Sequence, residues 1–442
     1  MTVKGVQGPD SRILSSSSVL SPPSCVASTP RTFVPSFIPE LILMLFLVAG
    51  AYKEWLTALI PMPVDITLLL AVAALAAAAA RTIASTSAFT SRVPSRTLPV
   101  GLLVPLGLLA LVIAVSALNT DAAYGRDKAL RFLTLTLTAT AAAYAILDTP
   151  ARVRRFITMI MLLGLGMSLV GTVTAEGMAA FNANHIATGR ILGLGLIAVI
   201  YLAVSSRPGL LRRFLWLVPG GVLAYGFLYS GSRGALAALI IGLGFTALIA
   251  LGLKRGRKWL LPVAALLAGV YIVTATLVPQ ALGMMNDRLK QIDLYAPTTD
   301  AAQTRMDLGA EAWQMFREHP LTGVGIGGYN TQLGAADTER GLYPHNILLE
   351  LAAEMGIAAV LLFIILVTFA FKGLIVTLRG HPNPEQLALT MLLIAMTAYL
   401  LANAMFSGDL NDNRMCFAAL GACFAAGMNP GTEPGPLYDH EG

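Results

Sequence analysis

Charge is scarce in this chain: Asp, Glu, Lys and Arg make up 12% of its 442 residues, while 56% are hydrophobic. A soluble chain of this length carries about twice that charged fraction, so a soluble globular fold is excluded. Cysteine is scarcer still, with three in all. Cys25 lies near the N-terminus, and Cys416 and Cys423 share one helix about 10 Å apart by helical rise, too far to bridge. Neither a disulfide nor a thiolate metal site is expected. The chain also lacks an Asp-x-Asp triplet, a Cys/His ligand spacing, a Walker loop and a serine-hydrolase elbow. Any phosphate-handling site would therefore neutralise charge with arginine instead of a divalent metal.

What the chain has is apolar length. Its mean hydropathy is +0.71, and successive runs of roughly 17–25 apolar residues are each long enough to cross a hydrocarbon core of about 30 Å. Twelve spans are expected: 37–60, 65–81, 99–118, 129–147, 154–174, 187–205, 212–229, 234–253, 258–278, 346–371, 385–406 and 412–428. Lys53 and Glu54 interrupt the first. The fold class is thus an all-α polytopic membrane protein with one large loop, 279–345, long enough to carry short helices of its own. Residues 1–36, rich in Ser, Pro and Thr, read as a disordered tail without the pattern of a cleaved signal. Residues 429–442 form a second tail.

The net charge of +6 does not mark a nucleic-acid binder, because the cations sit in short loops between apolar runs. Arg81, Arg92 and Arg96 share one loop, and Arg152, Arg154 and Arg155 the second after it. Arg207, Arg212 and Arg213 follow, then Lys254, Arg255, Arg257 and Lys258, and finally Lys372 with Arg379. These clusters occupy every second loop. By the positive-inside rule that side is the cytoplasm, and both termini join it.

The outer face then collects the unusual polar segments: 175–185, "SGSR" at 230–233, the loop 279–345, and "SGDLND" at 407–412. Within the loop, 304–320 reads as a helix ended by Pro320. Met306, Ala310, Trp313 and Phe316–Arg317 recur at helical spacing. This stripe lies either on lipid or on the bundle, and plain packing of Trp313 and Phe316 is the favoured expectation. "GVGIGG" (323–328) matches G-x-G-x-x-G, but no strand or βαβ unit surrounds it, so it reads as a turn permitting close backbone approach.

Arg233 either snorkels to lipid phosphates or binds a diphosphate through its paired donors. Arg305, Arg288 and Lys290 are either exposed surface cations or further members of that anion site. "YPHNILLE" (343–350) opens the tenth span. Pro344 is expected in its first turn, and the positive helix end disfavours a protonated His345. His345 is either a cap or a neutral histidine suited to removing a proton. Glu350 and Glu354, spaced i,i+4, need a partner if buried.

"SGSRGAL" (230–236), "RMDLGAEAWQMFREHPLTGVGIGGY" (305–329) and "HNILLELAAEMGIAAVLL" (345–362) resemble, in order, the signatures of the O-antigen ligase and polymerase superfamily. "FNANHIAT" (181–188), with Asn184, resembles its upstream loop. The resemblance implies a helical bundle with a large periplasmic loop in the inner membrane of a Gram-negative bacterium. It implies transfer of O-antigen polysaccharide from undecaprenyl diphosphate to lipid A–core, with no cofactor, metal or nucleic acid. Carried onto this chain, Arg233 and Arg305 hold the diphosphate, with Arg288 and Asn184 as further donor contacts. His345 activates or positions the acceptor hydroxyl, and Asn346 and Glu350 support it. An O-antigen polymerase and a protein O-oligosaccharyltransferase share these motifs; the single dominant outer loop favours the ligase. A small-anion transporter would also have twelve spans, but its site would lie near the midplane instead of on one face.

Overall fold

The computed structural model describes residues 37–61, 63–87, 99–120, 122–174, 177–181, 183–205, 215–253, 257–277, 279–290, 300–334, 342–380 and 382–427. The expected tails, 1–36 and 429–442, lie outside them. So do Arg92, Arg96, Arg207, Arg212, Arg213, Lys254 and Arg255, and the side chain of Lys258.

Helix α1 (Ile38–Val48) has Pro39 in its first turn, where the missing N–H costs nothing. A 3₁₀ turn, Ala49–Ala51, leads into α2 (Lys53–Leu59), bent 88° from it. The expected first span therefore breaks where Lys53 and Glu54 interrupt the apolar run, since both charges gain solvent by turning aside. Helices α3 (Ile66–Ser87) and α4 (Val100–Leu118) follow. Then α5 (Ala123–Arg131), a π-helical turn (Phe132–Thr136) and α6 (Leu137–Ile146) run on as one 24-residue span.

After α7 (Pro150–Val170) comes a departure from the all-helical expectation. The β-branched stretch "TVT" forms β1 (Thr172–Thr174), which pairs antiparallel with β2 (Gly177–Ala179), Val173 opposite Met178. Helices α8 (His185–Ser205), α9 (Leu217–Tyr229), α10 (Arg233–Gly252), α11 (Arg257–Leu277) and α12 (Pro279–Lys290) complete the first part. The loop region contributes α13 (Asp300–Glu318) and the short α14 (Gly328–Gln332). Helices α15 (Ile347–Arg379), α16 (Pro384–Phe406) and α17 (Arg414–Gly427) close the chain, α16 opening on a reciprocal cap between Asn383 and Gln386.

Among the described residues, eight helices are long and apolar enough to cross a membrane, or up to ten if each of two bent pairs counts as one. Helices α9 and α17 are apolar but only 13 and 14 residues long. Helices α8 and α16 are the most enclosed spans; α16 packs on α8, α10 and α17, and α15 packs on α4, α13 and α17. Outward faces of α3, α4 and α10 expose Leu, Val and Ile.

One end of the bundle carries the described basic-loop residues. There the buried Glu40 holds Arg155 at 2.7 Å, Asp148 holds Arg81 at 3.0 Å, Arg152 lies between both carboxylates, and Arg154 pairs with Glu385.

Helix α15 is broken. Gly356 sits at φ 71° and ψ −169°, which only glycine adopts cheaply, and a Cβ there would strike the Leu321 carbonyl. The backbone groups freed by the break are taken by the glycine-rich turn. Val324 N donates to Ala353 O at 2.8 Å, Gly325 N to Glu354 O at 3.0 Å, and Ile357 N to Pro320 O at 2.9 Å. "GVGIGG" is thus the close-approach turn expected, with Gly323, Gly325 and Gly327 all at positive φ. On its other side it touches Gly125 of α5, where a Cβ would meet Ile326 O, and Ile326 N donates to Ser116 Oγ at 2.8 Å. Segment 357–379 alone rises about 34 Å, enough for the hydrocarbon core, so segment 347–355 is free to form a separate short helix above it.

Gly356→Ala is expected to cost about 1–3 kcal/mol, read as a lowered melting temperature in detergent. Gly166→Ala, in open space on α7, is expected to leave stability unchanged or raise it by up to about 1 kcal/mol. Equal melting of both variants would show that the break carries no strain.

Candidate functional site

Asn346 opens segment 347–355. Its Oδ1 accepts from Leu348 N at 3.0 Å and Leu349 N at 3.2 Å, the pattern of a side-chain N-cap. Pro344 therefore lies two residues outside the helix, not in its first turn as expected. His345 is held between them at φ 55°, a left-handed conformation uncommon for a residue with a side chain, and its ring packs on Tyr343 at 4.2 Å. The helix-end field acts on His345 from one residue further out than the sequence suggested.

One turn into the segment, Glu350 faces Lys128 of α5. Lys128 Nζ donates to Glu354 Oε2 at 2.6 Å and forms an ion pair with Glu350 Oε1 at 2.6 Å, the second contact lacking hydrogen-bond alignment. The side chains are 2% (Lys128), 1% (Glu350) and 2% (Glu354) exposed. Removing one member of such a buried set leaves uncompensated charge, a loss of about 3–5 kcal/mol. The Lys128 carbonyl accepts from Asn411 Nδ2 at 3.0 Å. Asn411 belongs to the turn between α16 and α17, which Asp409 organises by accepting from Asn411 N and Asp412 N.

The same turn receives Arg190. From the first third of α8 its guanidinium donates to Ser407 O at 3.1 Å and Asp412 O at 3.4 Å, and its own carbonyl accepts from Tyr399 Oη at 3.0 Å. Beside it, a Cβ on Gly189 would fall 2.7 Å from Ser230 Oγ and 2.8 Å from Ser232 Cβ. That contact seats the "SGSR" turn on α8. Ser232 caps α10, accepting from Ala235 N at 3.4 Å, and the half-buried Arg233 is the first residue of that helix. A Cβ on the next residue, Gly234, would lie 3.4 Å from Phe406 Cβ at the end of α16.

Helix α13 lies alongside segment 347–355 and runs parallel to it. A Cβ on Gly309 would sit 3.6 Å from Leu349 Cδ1, while Pro320, after α13, bonds Ile357. Leu308, Ala312 and Met315 face Ala353 and Tyr329, whose hydroxyl donates to Leu308 O at 2.8 Å. Burial, with Glu311, Glu350 and Glu354 nearby, pushes the Tyr329 phenol above its ordinary value. The expected packing of Trp313 is therefore wrong by one helical face. Met306 is 64% and Trp313 50% exposed, the latter against the Phe316 ring at 5.4 Å. Arg305, half-buried, lies one turn before Gly309, as His345 lies one turn before Leu349. Both therefore stand at the same end of a parallel helix pair.

Asn184 caps α8, its Oδ1 accepting from Ala187 N at 2.8 Å. Nearby, Phe181 packs on Trp55 of the turned-aside α2. Arg288 and Lys290 end α12, and their side chains lie outside the described residues. Among the described residues no group of His, Cys, Asp and Glu is arranged to hold a metal ion.

Lys128 and Arg190 were missed in the sequence. A signal existed for Arg190, a guanidinium embedded in an apolar run, which marks a functional or paired site. Lys128 sat at the edge of the fourth span, in a segment (119–128) not counted among the four outer ones.

The chain is thus an all-α polytopic membrane protein whose glycine-rich turn is clamped to a broken helix. Residues 220–364, about a third of the chain, match the family model for O-antigen ligase, which supports membership of that superfamily. The match covers Arg233, Arg305, His345, Glu350 and Gly356, and stops short of Lys128 and Arg190. No curated protein matches the chain. That family match supports glycosyl transfer of the ligase or polymerase type in O-antigen processing.

Asn346→Ala removes both cap bonds and is expected to destabilise by about 1 kcal/mol, with Asn346→Asp close to wild type. Thermal unfolding in detergent measures both; an unshifted alanine variant would deny Asn346 a capping role.

Proposed function

We propose that this chain is a metal-independent, inverting glycosyltransferase that moves O-antigen polysaccharide from undecaprenyl diphosphate to lipid A–core. The observation that carries the reading is a shared lip. A groove of about 440 Å³ between α10, α15 and α16 is lined by Leu348, Phe363, Met405 and Phe406 among other apolar side chains. Leu348 is three residues from His345, and Phe406 abuts Gly234 beside Arg233. A polyprenyl chain lying in this groove would leave its diphosphate at the lip.

In that arrangement Arg233 and Arg305 hold the diphosphate, guanidinium matching its oxygens through paired donors. Arg288 and Asn184 are further donor contacts. Charge matching in a partly dry cleft stabilises the departing diphosphate. His345 takes the proton of the acceptor hydroxyl, a step that typically contributes about 10²–10⁴-fold. Attack opposite the leaving group inverts the anomeric centre; a product of retained configuration would exclude single displacement. Asn346 and Glu350 support His345 through the short helix. The reading puts the protein in the inner membrane of a Gram-negative bacterium with twelve crossings. The basic-loop end and both termini, 1–36 and 429–442, then lie in the cytoplasm, and 279–345 in the periplasm.

Purified protein, lipid-linked glycan and lipid A–core are mixed in detergent with chelator. Wild type is expected to transfer glycan. His345→Ala is expected to lose about 10²-fold or more, and Arg233→Lys about tenfold or more because lysine lacks the paired fork. Activity lost under chelation alone would sink the metal-free mechanism. Ion flux in vesicles without any transfer would favour a transporter instead.

A further inference from the structure

We infer that Lys128 is a positioning residue for the reaction, acting on His345 through Glu350 and Glu354. The kinetic part of this inference rests on the glycosyl-transfer reading above; the structural part does not.

Because of the Gly356 break, segment 347–355 is not held in place by the long helix that follows it. Three sets of contacts hold it instead. The first is backbone: the 320–325 turn takes the carbonyls of Ala353 and Glu354. The second is apolar: Leu349 and Ala353 toward α13, and Ile347, Leu351 and Met355 buried in the main core. Apolar contacts are non-directional, so they set the segment's rotation and height less sharply than an ion pair does. The third set is Lys128, which grips Glu350 and Glu354 on one face, both at 2.6 Å. Two carboxylates a full turn apart on one ammonium define both rotation and height.

Lys128 is itself anchored. Its carbonyl is bonded by Asn411, from the turn that also accepts the Arg190 guanidinium. Gly125, one turn earlier on α5, is in backbone contact with the glycine-rich turn. The position of the N-cap Asn346, and of His345 on it, therefore follows from where α5 places one ammonium group. A π-helical turn begins at Phe132, immediately after α5, and such insertions recur where a helix must aim a side chain.

Two variants test this in the full-length protein. Lys128→Arg keeps the charge but moves its donors, because the guanidinium is longer and planar. It is expected to fold, with kcat reduced about tenfold and the donor KM within about twofold of wild type. A lysine that merely balances charge would give wild-type kcat in the arginine variant, and that result overturns the inference. The triple variant Lys128→Met/Glu350→Gln/Glu354→Gln removes the charges together, so none is left buried alone. In it, hydrogen exchange is expected to quicken at amides 346–356 while 384–406 keep wild-type protection. Unchanged protection at 346–356 also overturns the inference. Should wild type itself transfer no glycan, the glycosyl-transfer reading fails and the exchange result alone decides the role of Lys128.

Discussion

The pairing of one buried ammonium with two buried carboxylates organises this end of the molecule. Lys128 lies more than two hundred residues from Glu350 and Glu354, yet the three meet with almost no solvent exposure. Away from water such groups are tolerated only in company, because each alone carries a desolvation cost of several kcal/mol. The pairing therefore constrains everything attached to it: α5 with its glycine contact, the 407–413 turn through Asn411, and the short helix that carries Asn346 and His345. Arg190 joins the same turn from α8, so four separate parts of the chain converge on one polar knot.

The second constraint is the missing turn of helix at Gly356. A break inside a membrane-length helix exposes backbone N–H and C=O groups that must find partners. Here they find a glycine-rich turn folded so closely that a Cβ at Gly323 or Gly327 would strike neighbouring backbone. This exchange of helical hydrogen bonds for loop hydrogen bonds connects the loop region 300–334 to the bundle. It also explains why α13 runs parallel to segment 347–355 and brings Arg305 to the same end as His345. The apolar groove near that end is lined by Leu348, three residues after His345, and by Phe406, which abuts Gly234.

Much of this was legible in order of physical strength. Apolar runs long enough to span a bilayer report themselves: among the described residues eight expected spans coincide with membrane-length apolar helices, the first and ninth with bent helix pairs, and the seventh and twelfth with shorter apolar helices. Where charge interrupts a run, as at Lys53 and Glu54, the consequence could be foreseen as an interruption but not as an 88° turn. Glycine spacing in "GVGIGG" spoke for close backbone approach, but not for its partners Gly125 and Gly356. The amphipathic stripe of α13 was misread by one face. Periodicity identifies a helix and its apolar positions, but Leu308, Ala312 and Met315 form an equally good stripe, and only a neighbour decides between the two. The "TVT" hairpin was hidden by its brevity.

By itself the sequence determined the class of protein, the helical spans, the grouping of basic loops, and the residues His345, Arg233 and Arg305 as candidates. Those are consequences of local composition and spacing, which act along the chain without reference to distant parts. Only the tertiary structure decided that Asn346 and not Pro344 begins the short helix, that Glu350 turns to Lys128, and that Arg190 ties α8 to the 407–413 turn. The physical reason is that a buried charge takes its partner from whatever segment packing delivers. Nothing in residues 123–131 or in residues 347–355 taken alone records that they will touch.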